Sequence, residues 1–179
     1  MAETATPHAW TMRICFCALA LLIIFFHLIP LDTVPRRWAP PDLLLAFTFA
    51  WVVRRPDYLP VILIALVMFM ADLMFHRPPG LWALCVVLGA EYLKYRTYTP
   101  GETSFASEWA TVCIVIIAIT LGYRLLLAIT LLPLPSLGVS MIQMVLTIFA
   151  YPAVILVTQT LMGIRKLAPS DAGTLGGRA

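Results

Sequence analysis

The residues of this chain that could do chemistry are few, and they sit inside apolar runs. Asp72 interrupts the run Leu59 to Phe75, Glu91 stands near the end of Leu81 to Leu93, Arg124 lies within Glu108 to Leu132, and His27 falls near the end of a run that starts at about Thr11. An acid or guanidinium at the middle of a hydrocarbon span costs roughly 2.5–3.5 kcal/mol, so each requires a partner, a wet cavity or a function. Asp72 and Arg124 fall at similar depth if their segments run the same way, and a mutual ion pair joining the two segments is one reading. Arg77, just beyond Asp72, is an alternative partner. Contact with a ligand or a second protein, and exposure to a wet vestibule, stay open beside these. Glu91 has Lys94 three residues on, a spacing of helical neighbours that suits an interfacial ion pair. His27 reads as a hydrogen-bonded histidine at the interface, since no second metal ligand accompanies it.

Catalytic patterns are missing. The sequence has no HExxH, no GxSxG, no Walker loop and no paired aspartates. Asp72 and Glu91 belong to opposite faces of a membrane, so a shared acid dyad is not expected. The cysteines, Cys15, Cys17, Cys85 and Cys113, lie within apolar runs without a CxxC and read as small buried hydrophobes. These features predict a non-enzyme with no cofactor and no metal.

The elements that carry these residues are set by composition. Hydrophobic residues make up 61% of the 179 positions and charged residues 12%, with a mean hydropathy of +0.93; soluble domains have about 45–50% and about 25%. Too few polar side chains remain to cover a water-facing surface, and lipid is the implied solvent. The net charge of +3 comes without a long basic run, so no nucleic-acid partner is suggested. Apolar runs predict helices over about 11–31, 43–53, 59–75, 81–93, 108–132 and 137–163. The fold class expected is all-α, a multi-pass membrane protein of about six spans. The second run is short and either crosses a thinned bilayer or re-enters. Lys94 to Ser107 reads as a loop, Ser107 as the cap of the fifth helix, and Pro152 as a kink in the sixth. One helical domain covers residues 1–166, followed by a disordered cytoplasmic tail over 167–179.

Orientation follows the basic residues. With the amino terminus inside, the cytoplasmic face receives Arg13, Arg54, Arg55, Lys94, Arg96, Arg165 and Lys166, against Arg36, Arg37 and Arg77 outside. Both termini are thus expected in the cytoplasm.

Two stretches carry a family likeness. One is RWAPPDLLLAFTFAWVVRRPDYLPVILIALVMFMADLMFHRPPGLWAL, with Pro41-Asp42 ahead of the second helix and Asp72 followed by Pro79-Gly80. The other is PSLGVSMIQMVLTIFAYPAVILVTQTLMGIRK, with Tyr151-Pro152 and a basic stop. Together they resemble the MreD family of bacterial rod shape-determining membrane proteins. Met70-Ala71-Asp72 departs from relatives that have glycine before the acid. The resemblance implies a six-helix fold similar to the substrate-binding component of energy-coupling vitamin transporters, and no enzymatic activity. It implies work in the inner membrane with MreC, beside RodA, a penicillin-binding transpeptidase and the actin-like MreB, in lateral peptidoglycan synthesis. The alternative function is that of the vitamin-transporter component itself.

Overall fold

In the computed structural model, residues 7–29, 39–98 and 104–162 are described. They form α-helices α1 (Pro7–Leu28), α2 (Leu43–Arg54), α3 (Val61–Met74), α4 (Leu81–Tyr98), α5 (Phe105–Ile129) and α6 (Leu137–Met162), with a 3-10 turn at Pro56–Tyr58 ahead of α3. No strand occurs among the described residues. Among the described residues, three stretches are long and apolar enough to cross a membrane: Ala9–Leu28, Phe105–Ile129 and Leu137–Thr160. The protein is therefore helical and built for a membrane.

The remaining helices fall short for separate reasons. α2 has 12 residues and α3 has 14, or about 18 and 21 Å at about 1.5 Å per residue. α4 is 18 residues long, but Glu91, Lys94 and Arg96 occupy its last turns. The polar stretch that begins at Lys94 is not the expected loop at its start; α4 continues to Tyr98. Lys94 can stay helical because its side chain folds back onto Glu91 and onto the Leu59 carbonyl, 2.7 Å away in each case. α5 begins earlier than expected, and its cap is Ser104, whose hydroxyl accepts from the Ser107 amide, rather than Ser107 itself. α1 is shifted toward the amino terminus of its apolar run. The expected tail over 167–179 and the cations Arg36, Arg37, Arg165 and Lys166 lie outside the described residues.

Side-chain contacts fix the helix directions. One end of the bundle gathers Arg13 of α1, which donates to the Asp57 carbonyl, and Arg54 at the close of α2, which pairs with Glu108 at the start of α5. Lys94, late in α4, reaches Leu59 at that same end. The other end gathers His27 of α1 tilted against Phe75, Asp42 ahead of α2 beside Arg77, and Trp82 at the start of α4 against Tyr123 late in α5. Arg124 there contacts Ser140 at the start of α6. Consecutive helices thus alternate in direction, as short connections favour. The first group is called the Arg54 end below, and the second the Arg77 end.

α2 is the axle of the bundle. Every residue from Leu44 to Arg54 is buried, and α6, α4 and α1 pack around it. Phe16 of α1 meets Trp51 at a centroid distance of 5.4 Å. α4 approaches closely through Gly89: a β-carbon there would stand 2.9 Å from Val115 Cγ1 and 3.2 Å from Phe49 Cζ. Small residues at such crossings let helices pack where lipid gives little drive for association. Pro152 leaves α6 unbroken. It has no N–H for the Ile148 carbonyl one turn earlier, and the Trp109 indole of α5 donates to that carbonyl at 3.3 Å instead.

Candidate functional site

The Arg77 end carries most of the polar chemistry, and it is built from helix termini. Asp42 caps α2: its Oδ1 accepts from the Leu45 amide at 3.0 Å. Its own amide donates to Thr147 Oγ1 at 2.9 Å, and that hydroxyl donates in turn to the Gln143 carbonyl, so α2 is pinned to α6. Asp72, fully buried near the close of α3, sends Oδ2 to the amides of Gly80 and Ala83 at 3.1 Å each. Gly80 precedes α4, and Ala83 is its third residue. A carboxylate of one helix therefore caps the next, where unpaired amides and the helix dipole favour negative charge. Gly80 has φ 84, a backbone conformation that glycine adopts without strain and that presents its amide to the acid. Oδ1 of Asp72 is buried without a hydrogen-bond partner among the described residues.

Two turns complete this end. α3 closes with His76 at φ 54, its amide and that of Arg77 donating to the carbonyls of Leu73 and Asp72. α5 closes in the same way through Leu131 at φ 54, with Leu131 and Leu132 donating to Ala128 and Leu127. Both are Schellman closures with a non-glycine residue in the left-handed position.

Arg77 projects from the first of these turns. Its guanidinium carbon lies 5.3 Å from the Phe75 ring centre and 5.4 Å from that of Trp82. Its nearest acid is Asp42 Oδ2 at 3.8 Å, too far for a hydrogen bond. Rings thus hold the cation in place while its N–H groups remain without acceptors among the described residues. The group opens on a cleft of about 340 Å³. Asp42, Gln143 and His27 share its lining with Ile23, Phe26, Leu43 and Phe75. Phe26 and Leu43 are exposed.

The structure does not bring Asp72 and Arg124 together. Arg124 Nη1 donates to the Pro135 carbonyl at 3.0 Å and to Ser140 Oγ at 2.9 Å, tying α5 to α6 across their own turn. In place of the mutual ion pair, one of the readings open from the sequence, there are two local solutions: backbone amides serve the short aspartate, and the long arginine reaches the turn. Arg77, the alternative partner, salt-bridges Asp42 rather than Asp72. Glu91 and Lys94 are paired at 2.7 Å at the Arg54 end, away from this cleft.

Two features are missed by reading the sequence. Arg54 and Glu108 stand 3.7 Å apart with side chains only 7% and 6% exposed. They are far apart in the chain, and each reads locally as an interfacial charge. Asp42 carries a usable signal, an acid directly ahead of an apolar helical run, which is the mark of a helix cap. Among the described residues, no three of the His, Cys, Asp and Glu side chains come together to hold a metal ion.

No family model matches this chain, and neither a curated protein nor a solved structure matches it.

Proposed function

We propose that the chain is a non-catalytic scaffold subunit of a membrane machine, of the kind the MreD resemblance implies. It would cross the inner membrane six times with both termini in the cytoplasm. The observation that carries this reading is where the charged groups of the bundle go. Asp72 caps α4, Arg124 bridges α5 and α6, Arg54 meets Glu108 across α2 and α5, and Lys94 ties α4 to the approach of α3. Each charge fastens one element to another, as in a rigid body that positions partners. Alternating helix directions support an even number of crossings. α2 is short for a span but is walled by protein, where irregular backbone at its ends is tolerated. The Arg54 end also holds Arg13, Arg55 and Arg96, which supports placing it on the cytoplasmic face.

The partner expected is MreC, with RodA, a penicillin-binding transpeptidase and MreB in the same assembly. Affinity purification of the tagged chain from its own cells tests this: a single-span protein with a periplasmic coiled coil should co-purify, and depletion should round the cells. Unchanged rods together with no such partner would overturn it. The cleft at the Arg77 end favours a second reading, a substrate-binding component of a vitamin transporter. A vitamin retained by the purified protein, with cell shape intact on depletion, would favour that reading.

A further inference from the structure

We infer that the cleft at the Arg77 end holds the headgroup of a zwitterionic lipid bearing a primary ammonium and a phosphate, that is, a phosphoethanolamine headgroup. The inference rests on the cleft itself and does not depend on the scaffold reading. Three polar groups line it with unused hydrogen-bonding capacity among the described residues: the Arg77 guanidinium, Asp42 Oδ2 and the Gln143 side-chain amide. Arg77 and Asp42 are close enough to attract, at 3.8 Å, yet not bonded to each other. A ligand with both charges would complete each of them: phosphate oxygens on the planar guanidinium, ammonium protons on Asp42 Oδ2 and the Gln143 oxygen. The two aromatic rings fix the guanidinium before any ligand arrives, so little side-chain freedom is lost on binding.

The charge balance argues against a simple anion. Among the described residues that line the cleft, Arg77 and Asp42 are opposite charges 3.8 Å apart. An anionic headgroup would match Arg77 but bring a like charge to Asp42. A quaternary ammonium has no N–H to give Asp42. A primary ammonium beside a phosphate satisfies both constraints.

Size and access point to a lipid rather than a free solute. The cleft, about 340 Å³, is at the lower end of the roughly 300–1,000 Å³ of small-molecule pockets, enough for a headgroup but not for acyl chains. Exposed Phe26 and Leu43 belong to its lining, and Leu22 and Phe25 continue an exposed apolar face along α1. Chains can therefore stay in the bilayer against the exposed face of α1 while the headgroup sits in the cleft. The same headgroup chemistry exists in soluble phosphoethanolamine, and the experiment separates the two.

The purified full-length protein, stripped of lipid by excess detergent, is mixed with equimolar dioleoyl phosphatidylethanolamine, phosphatidylcholine and phosphatidylglycerol and analysed by native mass spectrometry. The ethanolamine lipid should be retained over both others. Arg77→Gln and Asp42→Asn should each cut its retention about tenfold, the worth of one charged hydrogen bond. Asparagine still caps a helix, so α2 is preserved. Gln143→Met touches no cap and should weaken retention to a smaller degree, which keeps the test valid if either charge variant unfolds. Equal retention of the three lipids, preference for the glycerol lipid, or full retention by all three variants would overturn the inference. So would binding of soluble phosphoethanolamine by a protein that does not retain the lipid.

Discussion

Asp72 shows how a single buried acid is accommodated. Its Oδ2 receives two amides at the head of α4, and nothing in the side chain's own helix explains its presence. Asp72→Ala should destabilise the folded protein by about 1–3 kcal/mol, from a lost cap and amides left without their acceptor. Asp72→Asn retains an acceptor and should cost less; thermal unfolding in detergent ranks the two. Leu131 offers the opposite sign. It is exposed and held at φ 54, so Leu131→Gly should raise stability by about 1 kcal/mol in the same assay. At this scale the sequence marks a position without its partner. A charge in an apolar run is visible from residue types alone, so Asp72, Arg124 and Glu91 stand out. The groups that serve Asp72 are backbone amides, which have no residue identity to read, and an arginine as long as Arg124 has several reachable acceptors.

Between helices, the α5–α6 contact contains a substitution of one hydrogen bond for another. Pro152 deprives Ile148 of its helical donor, and Trp109 supplies one from across the interface. Trp109→Phe should cost about 1 kcal/mol in the native background and clearly less in a Pro152→Ala background, where the substituted position supplies the missing amide. A double-mutant cycle without coupling would contradict this. Gly89 marks the contact of α4 with α2 and α5. Gly89→Val should cost about 1–3 kcal/mol through overpacking against Val115 and Phe49, seen as a lower melting temperature. Helix number and approximate extent are readable, because run length and turn residues are local properties. The extension of α4 to Tyr98 is not, since Lys94 and Arg96 look like loop residues until the fold supplies Leu59 as an acceptor. The central position of α2 is also hidden: a helix apolar on all sides has no face to announce what it packs against.

For the molecule as a whole, polar fastenings lie at both ends and apolar packing lies between. The Arg54–Glu108 pair fastens the Arg54 end. Arg54→Ala or Glu108→Ala alone should destabilise by about 3–5 kcal/mol, because the remaining charge stays buried. Arg54→Met with Glu108→Leu should be much closer to wild type. The enclosure of α2 bears finally on biogenesis. At 12 residues it is too short to rest in a bilayer unaided, and its walls include α6, which leaves the ribosome long after it. The chain must therefore keep an early segment waiting, at the insertion channel or near the surface, until that late wall has been made. Nascent chains halted before Leu137 should leave the α2 region open to protease, and release of α6 should close it.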